Sequence, residues 1–132
     1  VTAFSKLASH KKLVDLPTHT IHFGWIVDAI GNHIDQVLFL LMRGPKTFTG
    51  QDTVEITCHN NPFIIESIIK EALRHGARLA NSGEFTKRAV LNDKIDLIQA
   101  EAINELIHAN TQSALKNHSR NLRAVFPMQC NV

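Results

Sequence analysis

Short alternating runs fill the first half of the chain, and apolar residues recur at three- and four-residue steps in the second. Thr20 to Asp28, TIHFGWIVD, is rich in β-branched and aromatic residues and predicts a strand. Gly31-Asn32 supplies a turn, and Ile34 to Met42 predicts a second strand, so the two make a hairpin. The continuous apolar run QVLFLLM within it predicts burial on both faces. Asp52 to His59 alternates. Val54, Ile56 and Cys58 fall on one side, and Thr53, Glu55, Thr57 and His59 on the other, as in a half-buried strand with a polar face.

Val1 to Leu16 predicts the tail of a helix and a loop. Asn61-Pro62 predicts a helix start, because Asn caps well and Pro suits the first helical position. Ile65, Ile68, Ile69 and Ala72 make its apolar stripe, Glu66 and Lys70 pair across one turn, and Gly76 ends it. Ala77 to Ala80 predicts a short strand, and Ser82 a cap for a helix running to about Leu91. From Asp96 to about Leu122 the period is helical, with Leu97, Ala100, Ile103, Ile107 and Ala114 in step. The order predicts an α+β fold. A mixed β-sheet carries helices packed on it, followed by the first long helix of a helical region.

Composition narrows the function classes. Of 132 residues, 44% are hydrophobic and 20% charged, which suits a domain with a real core. No apolar run approaches the roughly 20 residues a membrane helix needs, and Val1 to His10 lacks a signal-type apolar core, so neither membrane insertion nor export is expected. A net charge of +2 permits nucleic-acid binding without arguing for it. Cys58 and Cys130 are expected as free thiols. The eight histidines form no ligand spacing such as HExxH, so no metal site is expected.

The segment RGPKTFTGQD, Arg43 to Asp52, looks like a phosphate loop. The nucleotide motif is GxxxxGK[ST] between a strand and a helix. Here five residues separate Gly44 from Gly50, Gln51 stands where lysine is needed, and Asp52 stands where Ser or Thr is needed. A strand-like segment follows, so no helix N-terminus points into the loop. This chain is therefore not expected to bind GTP or ATP.

Three segments together carry a resemblance: FTGQDTVEITCHNNP, GARLANSGEFTKRAVLNDKIDLIQAEAINELI, and the apolar strand before them. From about Gly24 to Leu122 the chain resembles the N-terminal part of the tRNA-modification GTPase family MnmE/TrmE. The resemblance implies a domain at residues 1–93 that binds 5-formyl-tetrahydrofolate, is folded like the folate-binding domains of aminomethyltransferases, and forms a homodimer. Residues 94–132 would begin a helical domain, into which a potassium- and magnesium-dependent G domain is inserted. The family acts in the cytoplasm with a flavoprotein partner on the wobble uridine of certain tRNAs. GTP hydrolysis belongs to the inserted domain, so no catalytic residue is expected here.

Two folate contacts carry over by motif. The glutamate of the VE pair falls on Glu55, and the lysine after LN-x on Lys94. A carboxylate at Glu55 can accept the adjacent amino and ring N–H groups of a pterin, as it would a guanidinium. Lys94 can meet a carboxylate or carbonyl oxygen of the ligand. Glu84, Arg88 and Asn92 look like the scaffold that places Lys94. A third contact, an arginine in a first-strand segment of the type GxGxxxxRxSG, is expected to precede Val1, and a fourth to lie near the family's C-terminus. The family's HGGP reads His59-Asn60-Asn61-Pro62, so the freedom of glycine for close backbone approach is not expected there. Two other functions compete. One is a pure dimerisation scaffold whose folate site is lost or truncated. The other is a free-standing aminomethyltransferase-like enzyme, against which the uninterrupted helix after Asp96 and the QAEA segment argue.

Overall fold

The computed structural model describes residues 1–108, and these divide into two compact units. The first comprises residues 1–47 and 51–80, and the second residues 48–50 and 81 onward.

The first unit is a four-stranded antiparallel sheet with one helix. The strands β1 (Ser5–Leu7), β2 (Thr20–Val27), β3 (His33–Met42) and β4 (Thr53–Thr57) lie side by side in chain order. The predicted hairpin is β2–β3. The Asp28 carboxylate closes its turn by accepting from the amides of Ile30 and Asn32, and Gly31 takes the positive φ the turn requires. β1 corrects the expected helix tail. Its three residues pair with β2 between two short 3-10 turns, and Phe4, Leu7, Leu13 and Leu16 reach into the core. Gly24 permits that pairing, since a Cβ there would lie 2.5 Å from the Lys6 carbonyl oxygen.

Burial follows one face of the sheet. Ile26, Val37, Phe39 and Leu41 are buried, and Val54, Ile56 and Cys58 pack against them. The expected burial of β3 on both faces is not observed: Leu38, on the opposite face, is 41% exposed. A strand reads as continuously apolar whether its second face is covered within the described residues or left open.

α1 (Pro62–Arg74) begins as predicted, with the Asn61 side chain accepting from the Phe63 amide. It ends in a Schellman motif. The Ala77 amide donates to the Ala72 carbonyl, and the Gly76 amide to that of Leu73, with Gly76 at φ 87°. The core-facing stripe is rotated from the predicted one. Ile64, Ile68 and Ala72 face the sheet, whereas Ile65 and Ile69 are exposed. Ala77–Ala80 forms no strand, so the sheet is antiparallel throughout rather than mixed.

The second unit holds α2 (Glu84–Leu91) and α3 (Leu97–Ile107). Gly83, not Ser82, is the residue before α2. The start is held by Glu84, whose carboxylate accepts from the Asn81 amide and from Arg88. That carboxylate is buried, whereas the Arg88 side chain is 43% exposed. α3 opens on a capping box between Asp96 and Gln99. The expected continuation to Leu122 lies outside the described residues. No described helix is long and apolar enough to cross a membrane.

Candidate folate site

Glu55 belongs to the first unit and Lys94 to the second. Glu55 sits mid-β4, paired with Leu40, which pairs with Ile21 on β2. The next row on that face is Thr57, Leu38 and Phe23. The predicted face holds: Glu55 is exposed, and its carboxylate has no hydrogen bond or ion pair with a described residue. Its surroundings are apolar, with Ile21 63% and Phe23 47% exposed. Along the same face lies a hollow of about 330 Å³ lined by Phe23, Gln36, Leu38, Thr57 and His59, although not by Glu55 itself.

Lys94 follows the end of α2 through a second Schellman motif. Asp93 takes φ 54°, its amide donates to the Val90 carbonyl, and the Lys94 amide donates to that of Ala89. The Lys94 side chain is exposed, and its ammonium is unpaired among the described residues. A larger hollow, about 590 Å³, lies along α2 and α3 and is lined by Val90, Leu97, Ala100 and Ile103. Neither Glu55 nor Lys94 lines it.

The phosphate-loop lookalike is a turn that closes on itself. The Asp52 carboxylate accepts from the Gly44 amide at 2.9 Å, and Arg43 donates to the Val14 carbonyl at 2.7 Å. An amide of the kind a phosphate would use is thus taken by a carboxylate. The following segment is β4, a strand.

Sequence reasoning passed over Asp35. Its side chain is 8% exposed, and its carboxylate accepts from the His59 amide at 2.9 Å and from the His59 ring Nδ1 at 2.8 Å. A single acid inside an apolar strand gives no signal of a partner 24 residues away. Burial pushes the Asp35 carboxyl upward, but the hydrogen bonds from His59 and the Gln36 amide, with the charge of His59, outweigh it and hold the group below the usual range. A depressed carboxylate adds stability above its unfolded pKa of about 3.9, and that contribution is lost as pH falls through the folded value. Asp28 is lowered by its turn hydrogen bonds and acts in the same window. Asp35→Asn is therefore expected to make the acid limb of a stability-against-pH curve shallower below about pH 4, without flattening it. An acid limb as steep as that of the unmodified chain would show that the pair contributes nothing.

His59 opens the HNNP departure. Neither Asn60 nor Asn61 has a positive φ, and Asn61 is extended at φ −132° while capping α1. The backbone at this point needs no glycine, and the substitution supplies a cap.

Among the described residues, no group of three or more His, Cys, Asp or Glu could hold a metal ion. The sequence pattern of the family described as "GTP-binding protein TrmE N-terminus" matches residues 1–94. The chain belongs to this family. Its relatives include proteins named tRNA modification GTPase MnmE. The one from Lachnoclostridium phytofermentans is 43% identical over 120 residues, covering 91% of this chain and 26% of that protein. Those from Bacillus pumilus and Enterococcus faecalis are 52% and 51% identical, each over 80% of this chain and 23% of theirs. The chain thus spans about a quarter of the length of these TrmE-family relatives.

Proposed function

We propose that this chain is the tetrahydrofolate-binding and homodimerising module of a GTPase that modifies the wobble uridine of tRNA. The observation that carries the reading is the unpaired Glu55 carboxylate on an open sheet face edged by Ile21, Phe23 and Leu40. A pterin needs an acceptor for its adjacent N–H groups and an apolar surface for its ring, and this face offers both. Lys94 supplies a cation for an oxygen of 5-formyl-tetrahydrofolate. GTP, potassium and magnesium would be bound by a separate G domain. The flavoprotein partner and tRNA would be engaged by the whole protein, in the cytoplasm. The fold proposed is that of the folate-binding aminomethyltransferase domains.

The exposed Ile21, Phe23 and Leu38 also favour a second reading, a pure dimerisation scaffold. Titration with 5-formyl-tetrahydrofolate separates the two. Trp25, the single tryptophan, pairs with Gln36 on the Glu55 face and reports on it. Saturable quenching of Trp25 matched by calorimetric heat is the expected result. A dimer in sedimentation that takes up no folate would leave the scaffold standing and overturn the folate reading.

A further inference from the structure

Thr49 and Gly50 look like part of a phosphate loop, yet they belong to the unit that contains Lys94. Thr49 is buried, and its carbonyl accepts from Asn92 Nδ2 at 2.6 Å. Gly50 has φ 75°, and the Lys94 stem crosses directly over it. A Cβ at Gly50 would lie 3.1 Å from Lys94 Cδ, 3.3 Å from Cγ and 3.4 Å from Asn92 Cβ. The left-handed backbone explains a glycine here in part, and the close approach of the lysine stem is a second, independent reason. The Lys94 amide is meanwhile tied to the Ala89 carbonyl at 2.9 Å. The side chain thus leaves a fixed backbone point and runs over the Gly50 backbone beside Asn92.

We propose that the Thr49–Gly50 turn is the seat of Lys94: Gly50 and Asn92 are positioning residues that set where the ammonium is presented to an anionic or carbonyl oxygen of the ligand. This rests on the folate reading for the identity of that ligand, but not for the seat itself. Holding a long side chain in one direction removes rotamer freedom before binding rather than during it, which is how preorganisation raises affinity.

Gly76 provides the control. It has φ 87° and nothing within 4 Å of a Cβ, so Gly76→Ala imposes the same backbone strain without touching a lysine. Two measurements are made on the full 132-residue chain. In the first, lysines carry 13C-dimethyl labels, and the Lys94 signal is assigned through Lys94→Arg. Gly50→Ala and Asn92→Ala are expected to shift that signal, and Gly76→Ala to leave it in place. In the second, 5-formyl-tetrahydrofolate is titrated. Gly50→Ala is expected to weaken binding at least about fivefold and Gly76→Ala less than twofold, because residues in contact couple and distant ones do not. In a Lys94→Ala background, Gly50→Ala is expected to cost less than twofold.

An unmoved Lys94 signal in both Gly50→Ala and Asn92→Ala overturns the seat. So does a Gly50→Ala loss that persists undiminished in the Lys94→Ala background. If the unmodified chain takes up no folate, the functional reading fails, and the Lys94 signal still decides the seat.

Discussion

Phe39→Ala is expected to destabilise the chain by about 3–5 kcal/mol, the usual range for emptying a fully buried aromatic site. Phe39 has no solvent exposure and lies mid-β3, between His22 on β2 and Ile56 on β4. Its ring also packs where β1 meets Gly24, since a Cβ on Gly24 would lie 3.1 Å from Phe39 Cε2. Removing the ring therefore opens a cavity that three strands border and that backbone pairing keeps from collapsing. The comparison is Leu38→Ala, one residue away on the open face. It is expected to cost under about 1 kcal/mol at low protein concentration, because a partly exposed side chain leaves no cavity. Urea denaturation measures both, with the midpoint falling and the slope unchanged. Equal losses at the two positions would overturn the one-sided core.

Glu55→Gln is expected to weaken 5-formyl-tetrahydrofolate binding roughly 10- to 150-fold. A hydrogen bond to a charged group contributes about 1.5–3 kcal/mol, and each 1.4 kcal/mol is tenfold in affinity. Glutamine keeps the shape but replaces one acceptor with an NH₂ donor, which would face the pterin's own N–H groups. Since Glu55 is exposed and unpaired, the substitution should leave the unfolding midpoint unchanged. Lys94→Ala is expected to cost less, because an ion pair at a solvated end of the ligand is screened. Calorimetric titration of the variants beside the unmodified chain checks both. An affinity within twofold for Glu55→Gln would show that the family's glutamate contact does not carry over to this position.

Much of this was legible along the chain. Alternation from Thr53 to His59 placed Glu55 on the outward face, because a strand's period of two is a local property that pairing does not alter. The start of α1 at Asn61-Pro62 and its end at Gly76 were legible for a similar reason: caps and left-handed turns are settled within a few residues. The candidate residues Glu55 and Lys94 came from long motifs rather than from periodicity, since no local pattern distinguishes a ligand carboxylate from a solvated one.

What only the tertiary structure decided involves partners far apart in sequence. Ser5–Leu7 became a strand because Gly24 leaves room for it on β2, and three residues carry too little pattern to show that. Ala77–Ala80 did not become one, because a strand needs a neighbouring edge as well as suitable residues. The stripe of α1 turned toward Ile64 and Ile68 because packing, not count, selects which side of an apolar helix faces a sheet. Asp35 found His59, and Thr49 found Asn92, across 24 and 43 residues. Sequence alone determined the period of the longer elements and the family to which its motifs belong. Tertiary structure decided which faces are covered and which polar groups meet, because burial and long-range hydrogen bonds depend on surfaces that exist only once the chain is folded.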